Sequence, residues 1–506
     1  MTQRAATTAK FLEREAARAH RMPPLPRALR EECGVFGVIG ADAEAASLVA
    51  LGLHALQHRG QEACGITTYD GERFASEKHL GLVAHGFTEA KVLDRLAGDA
   101  GIGHTRYSTT GGAGLRNVQP LYADLDRGGL AVAHNGNLTN AMSLRSELIR
   151  KGSIFHTTSD SELFLQLAAL SRGLSMVDKV TDSLMSVEGA YALVVLTQDA
   201  LIGARDPQGI RPLVLGRLDG ATVLASESCA FDLIGAELIR EVEPGEMVVC
   251  RPDGSVESRR VFARHAARPC IFELIYFARP NSFLGGTSVY ALRKLLGARL
   301  AEEAPANADL VSPIPDSGVA AAIGYASRSG LPYEMALIRS HYSGRTFIEP
   351  SQKIREAGVA RKHSANAGVV RGKRVVLIDD SLVRGTTSRK ITAMLREAGA
   401  AEVHFRIACP PIEHPDYYGI DTPSRAELMA ANYGLAEMTE LIGADSLAFL
   451  SLGGLYEALG KGPRDAEAPA FTDHCFTGDY PTPLTDRDRA ARSAKIEQLS
   501  LLREPG

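Results

Sequence analysis

The chain has 506 residues, 45% hydrophobic and 23% charged, with a net charge of −4. At about 150 residues per domain this length predicts more than one globular domain, and mixed charge of near-neutral sum argues against a nucleic-acid or membrane-surface binder. No apolar run is long enough to span a bilayer, and seven scattered cysteines do not form a disulfide framework, so a reducing cytoplasm is expected.

Residues 1–32 read as one short helix, about Ala9 to His20, stopped by Pro23, Pro24 and Pro26. They contain no signal-peptide core. Cys33 then opens an apolar, β-like segment, CGVFGVIG. A buried structural cysteine is the plain reading. A nucleophile would need a base, because the thiolate is the reactive form. Cleavage between Glu32 and Cys33 would create an α-amine of pKa about 8 on the same residue. That chemistry would make 1–32 a disposable leader.

After a helix from about Glu44 come LQHRGQE with Arg59 and Gly60, GHTRYST with Arg106, VAHNGNL with Asn135 and Gly136, and TSDSE with Asp160. Each has a plain alternative: Arg106 in a salt bridge, Asn135-Gly136 as a hairpin turn, Asp160 capping the helix that starts at ELFLQLAAL. Together, in this order behind Cys33, they resemble the class II, N-terminal-nucleophile glutamine amidotransferases across 33–263. The resemblance implies an αββα sandwich. It also implies Cys33 as nucleophile, Asn135 and Gly136 at the oxyanion, and Arg59, Gly60, Arg106 and Asp160 around glutamine. The chemistry agrees for Arg106, a fork donor for a carboxylate, and for Asp160, an acceptor for an ammonium. Residues 189–227 read as a strand series, and EVEPGEMVV as the last strand pair.

The pattern changes near 264–270, where a second domain is expected to begin. A helix about Ser288 to Glu303 precedes ADLVSPIPDSG, a strand running into a Pro-rich loop that holds Ser317. HYSGRTFIEPSQKIREAGVARKHSANAG (341–368) is long, polar and basic, with Arg345 and Lys362. It reads as a lid that excludes water, or as a solvated hairpin.

VVLIDDSLVRGTTS (375–388) is a buried strand ending in Asp379 and Asp380, then Ser381, Arg384, Gly385, Thr386, Thr387 and Ser388 leading into a helix to about 398. A helix N-terminus with glycine and hydroxyls suits phosphate. Two acids suit sugar hydroxyls or Mg²⁺. A strand at 402–408 completes a βαβ unit, whose ligand side is the carboxyl end. The stretch resembles the phosphoribosyl pyrophosphate (PRPP) loop of type I phosphoribosyltransferases. The two halves together resemble the amidophosphoribosyltransferase family. That resemblance implies a parallel-sheet domain over 264–480. PRPP is expected on Asp379 to Ser388 with Arg345 and Lys362, and the metal at Ser317, Asp379 and Asp380. It further implies 5-phosphoribosylamine synthesis from glutamine and PRPP, the first step of purine synthesis, in a homotetramer inhibited by purine nucleotides.

The region after 410 reads as helical to about Leu459, and 481–506 as a polar tail. Many members of the family hold a [4Fe–4S] cluster on four cysteines. Here the matching positions read Cys270, Asp416, Thr472 and Cys475. Clusters normally take four cysteines, so no cluster is expected. Rival enzymes sharing the first half are not favoured: no SGGxDS loop of an asparagine synthetase is present, nor the sugar-isomerase repeats of a glucosamine-phosphate synthase. A regulator with a dead first half would show decay at Cys33, Arg106, Asn135 or Asp160, and all four are intact.

Overall fold

The computed structural model describes residues 33–87, 90–107, 114–339, 363–420 and 422–490. The expected leader 1–32, Arg345, Lys362, most of the expected lid and the tail beyond 490 lie outside the described residues.

Two antiparallel sheets form the first half. One runs Glu237–Glu241, Val214–Leu218, Ala221–Ala225, Gly34–Ile39, Ala100–Arg106, Ala63–Tyr69, Phe74–Leu80. The other runs Val256–Arg260, Glu246–Cys250, Leu201–Arg205, Gly189–Leu196, Gly128–Leu138, Leu121–Leu125. Side chains alternate across each strand. Val35 and Ile39 therefore join Ile102, Ala133 and Val194 between the sheets. Phe36 and Val38 face the helices Ala45–Ala55 and Cys229–Ile234. The outer face of the second sheet packs Leu148, Leu163 and Val180 from the helices Ala141–Arg150, Glu162–Leu170 and Met176–Ser186. The result is the expected αββα sandwich. Beyond the strand pair expected to be the last lies another, Val256–Arg260, a polar edge strand whose sequence VESRR shows no apolar alternation.

The second half is built on a parallel sheet, Leu310–Pro313, Arg374–Asp379, Glu402–Ile407, Ser446–Phe449. Helices Val289–Glu303, Val319–Ser329 and Thr386–Glu397 accompany it. The strand Arg374–Asp379 is paired on both sides and fully buried from Val375 to Ile378. Its carboxyl end delivers Asp379 and Asp380 to the ligand-binding side of such a sheet.

Two expectations are corrected here. The stretch after 410 is not helical throughout: Ser446–Phe449 is a fourth strand, short and of mixed character. Residues 363–368, placed in the lid, instead form the strand His363–Ala365, paired with Leu337–Arg339, and open the helix Ala367–Val370. The polar tail, described to residue 490, follows a segment in which Phe471, Thr472, Cys475 and Phe476 are buried. It also returns to the first half. Asp486 accepts from Met142 N at 2.7 Å, Ser143 N at 2.9 Å and Ser143 Oγ at 2.6 Å. It thereby caps the first turn of the helix Ala141–Arg150, whose own preceding residue, Asn140, makes no side-chain cap.

Losing such a cap costs about 1 kcal/mol. Asp486→Ala is therefore expected to speed hydrogen exchange at the Met142 and Ser143 amides about fivefold. Unchanged exchange there would refute the cap.

Candidate functional site

Cys33 sits immediately before the strand Gly34–Ile39, which lies between Ala100–Arg106 and Ala221–Ala225. Its Sγ donates to Tyr107 O at 3.6 Å. Burial pushes the thiol up to about 11, and the Tyr107 contact, Arg106 and Arg59 pull against that. No imidazole or carboxylate hydrogen-bonds Sγ among the described residues. His104, whose neighbour in register is Val35, turns its Nε2 to His134 O at 3.2 Å. Burial and the nearby Arg106 hold His104 down at about 3, so it is neutral.

Asn135 and Gly136 are not a hairpin turn. They lie inside the strand Gly128–Leu138, paired with Ala192 and Tyr191. Gly136 has φ +141°, and a Cβ there would sit 2.1 Å from Ala190 O, so only glycine fits. Asn135 is buried, and neither polar atom of its side chain has a hydrogen-bond partner among the described residues. A buried unsatisfied amide costs stability, which is the signature of a group kept for a ligand. Asp160 is also buried. Its Oδ2 accepts from Leu138 N at 3.0 Å, so it does not cap the following helix through its side chain. It borders a cavity of about 370 Å³ together with Asn137, Arg145, Tyr417 and Arg487. Arg106 ends its strand opposite Ala63, and Gly60 packs against the Thr105–Arg106 backbone.

Arg59, expected beside glutamine, is paired within the protein. It is buried, and Nη1 and Nη2 both donate at 2.6 Å, to Glu227 and Glu273 respectively, while Nε donates to Cys33 O at 3.2 Å. The guanidinium is consumed by protein partners behind the nucleophile. Glu227 also takes His58 at 2.7 Å, Arg279 N at 2.8 Å and Ser282 Oγ at 2.7 Å. Glu227 and Glu273 were not singled out by sequence. The available signal was a lone acid in an apolar run, ATVLASE and CIFELIYF, since such a charge must find a partner when buried.

In the second half, Asp379 accepts from Ser317 Oγ at 3.1 Å and from Asp380 N at 3.0 Å. Both acids are buried, and Asp380 Oδ2 has no donor among the described residues. Burial and mutual repulsion raise Asp379. Burial also raises Asp380, opposed by its bond with Asp379 and by the Arg293 cation. Arg293 is another residue missed by sequence. It is buried and donates to Leu274 O and Ala278 O, each at 2.8 Å. Gly385 has φ +72° and starts the helix Thr386–Glu397; a Cβ on it would meet Met429 Sδ at 2.5 Å. Thr387 is open to solvent at that helix start, Thr386 and Ser381 are half-buried, and Ser388 is buried. Arg384 pairs with Glu427 at 3.3 Å. Two carboxylates with an open oxygen fit Mg²⁺, which takes one or two protein carboxylates beside substrate phosphates.

The four positions matching cluster cysteines converge. Cys270 bridges Thr472, and Cys270, Asp416, His474 and Cys475 line a cavity of about 10 Å³. The donors do not fit a cluster. Thr472 Oγ donates to Arg268 O at 2.5 Å, Asp416 Oδ2 lies 2.8 Å from His474 Nε2, and only two thiols remain. No group of three or more His, Cys, Asp or Glu among the described residues is arranged to hold a metal.

Residues 104–232 match the glutamine amidotransferase domain family and residues 286–419 the phosphoribosyl transferase domain family. The amidophosphoribosyltransferase of Rhizobium etli is 54% identical over 477 residues, 93% of this chain and 96% of that protein. That of Bacillus subtilis is 48% identical, covering 90% of this chain and 96% of the relative. The solved B. subtilis glutamine PRPP amidotransferase, complexed with ADP and GMP, superposes with a TM-score of 0.84 at 48% identity, covering 89% of this chain and 98% of that one. With both catalytic halves present in one chain and identity sustained across nearly its whole length, this protein belongs to the amidophosphoribosyltransferase family.

Proposed function

We infer that the chain converts glutamine, PRPP and water to 5-phosphoribosylamine, glutamate and pyrophosphate, the first step of de novo purine (IMP) synthesis. The observation that carries this reading is the pairing in one chain of Cys33, at the opening strand of the sandwich, with a buried acid pair at the carboxyl end of a parallel strand.

At the first site the Cys33 sulfur attacks the glutamine carboxamide carbon. Its proton goes to a base, a glutamyl thioester forms and ammonia leaves; water then releases glutamate. The thiol is protonated at neutral pH, because its pKa is raised. The base is the α-amine exposed by removing the leader 1–32. Arg106 and Asp160 hold the glutamine carboxylate and ammonium, and Gly60 gives the substrate close backbone access. The Asn135 side-chain N–H and the Gly136 N–H stabilise the oxyanion, an effect worth about 3–4 kcal/mol for one such donor.

At the second site Asp379 and Asp380 hold the ribose hydroxyls and, with Ser317, the metal end of PRPP. Ser381 and Thr386 to Ser388 at the helix start take the 5-phosphate, while Arg384, Arg345 and Lys362 add positive charge. Ammonia attacks C1 of the ribose as the C1–O bond to pyrophosphate breaks. Bound Mg²⁺ supplies charge stabilisation to the departing pyrophosphate. The same reading divides the chain into leader 1–32, amidotransferase 33–263, phosphoribosyltransferase 264–480 and tail 481–506. It extends to a homotetramer and to regulation by purine nucleotides, the latter in keeping with the ADP and GMP bound in the B. subtilis relative. The reading includes a cytoplasmic location and no cluster, the latter because only Cys270 and Cys475 of the four matching positions are cysteines; no helix of the described residues is long and apolar enough to cross a membrane.

Cys33→Ala is expected to abolish glutamine-dependent turnover and spare ammonia-dependent turnover, whereas Asp379→Asn lowers both; full glutamine use by Cys33→Ala overturns the two-site reading. In chain retaining the leader, alkylation of Cys33 is expected to climb with pH up to pH 9 and beyond, because a thiol raised to about 11 stays protonated below that value. Processed enzyme should instead level off near pH 8, where the α-amine of pKa about 8 becomes neutral. A plateau near pH 7 in unprocessed chain removes the need for the amine. Protein purified without oxygen is expected to contain no stoichiometric iron or sulfide, and about four irons per chain would sink that expectation.

A further inference from the structure

The turn Asp416–Ile420 of the second half presses on the candidate oxyanion strand of the first. Asn137 Nδ2 donates to Tyr417 O at 2.9 Å. Gly419, at φ +121°, approaches so closely that a Cβ on it would lie 3.1 Å from Gly136 Cα and 3.2 Å from Gly136 C. Tyr417 also forms a wall of the 370 Å³ cavity that reaches Asp160.

One side chain shapes this turn. Asp416 is buried, and its Oδ1 accepts from Tyr418 N at 2.7 Å and from Ile420 N at 2.8 Å. Its own N–H donates to Thr422 Oγ at 2.5 Å. Oδ2 lies 2.8 Å from His474 Nε2 without hydrogen-bond alignment, and the His474 ring stands edge-on to Tyr418 with centroids 5.1 Å apart. His474 O accepts from Gly478 N at 2.7 Å, and the next residue's carbonyl, Cys475 O, accepts from Glu413 N at 2.9 Å and His414 N at 3.1 Å. Asp416 and His474 thus occupy the place where the donors fail to suit a cluster, and they leave room only for a water-sized cavity.

We propose that Asp416, with His474 as its partner, is a positioning residue for the glutamine half-reaction, holding the 416–420 turn against Asn137 and Gly136. The inference rests on the oxyanion role assigned above to Gly136. Neither residue touches substrate; the effect passes through two backbone N–H bonds and the packing of Gly419.

The test uses full-length processed enzyme and follows glutamate release separately from ammonia-dependent phosphoribosylamine synthesis. Asp416→Ala removes the acceptor for both N–H groups. It is expected to lower kcat for glutamate release about 10- to 100-fold, the scale of a displacement near 1 Å in a catalytic group, with glutamine KM little changed and ammonia-dependent synthesis within about twofold. Asp416→Asn keeps Oδ1 as acceptor and is expected to restore most of the glutaminase rate. A merely structural plug would instead lower both activities in parallel or neither, and either result overturns the proposal. Should Asp416→Ala fail to fold, Gly419→Ala decides: the added Cβ pushes on Gly136, and an unchanged glutaminase kcat overturns the proposal. Absence of glutaminase activity in the wild-type enzyme, by contrast, overturns the functional reading itself.

Discussion

The buried guanidinium of Arg59 is the constraint around which the interior is arranged. A buried charge is tolerated only when paired and hydrogen-bonded, and removing one partner costs about 3–5 kcal/mol. Arg59 meets this requirement with Glu227 from the first half and Glu273 from the second. Burial works against the charge on Glu227, but His58 and Arg59 outweigh it and hold that carboxyl well below the usual range. Burial likewise opposes the Arg59 cation, and Glu273 and Glu227 push its pKa up instead. Arg211 completes the group by donating to Glu273 at 3.3 Å. The first carbonyl of the nucleophile segment, the end of the strand Ala221–Ala225 and the π-helical turn Glu273–Phe277 are therefore held by one set of charges.

That turn has a second attachment. Its Leu274 carbonyl and the Ala278 carbonyl just past it accept from Arg293, whose charge bears on Asp380. Cys33 and the acid pair are thus connected through ion pairs and one short turn, with no long flexible connection between them. Such a link is a geometric continuity. Energetic coupling along it is a matter for double-mutant cycles between Glu273 and Arg293.

Much of this was readable from the chain. VVLID announced a buried parallel strand by its aliphatic run, and the acids, glycine and hydroxyls behind it fell in the order a strand-to-helix phosphate site requires. What escaped was set by pairing between distant segments. The Arg59 motif is visible in LQHRGQE, but the pairing of its guanidinium with Glu273, 214 residues later, is not. The strand Ser446–Phe449 is only 4 residues long and gains its identity from pairing with Glu402–Ile407. Val256–Arg260 is polar because it is an edge strand with one neighbour. Asp416, read only as a failed cluster ligand, gains its role from N–H groups two and four residues on, where spacing alone does not say which way the turn faces.

The Asp486 cap carries a consequence for how the chain is made. The helix Ala141–Arg150 emerges from the ribosome 344 residues before the carboxylate that completes its first turn. At about 5–20 residues per second this is roughly 20–70 s of synthesis. During that interval the strands from Gly189 to Arg260 and then Glu273 are made, while the cap stays absent until residue 486. Both the cap of the Ala141–Arg150 helix and the Glu273 partner of Arg59 are thus supplied only once synthesis has passed into the second half.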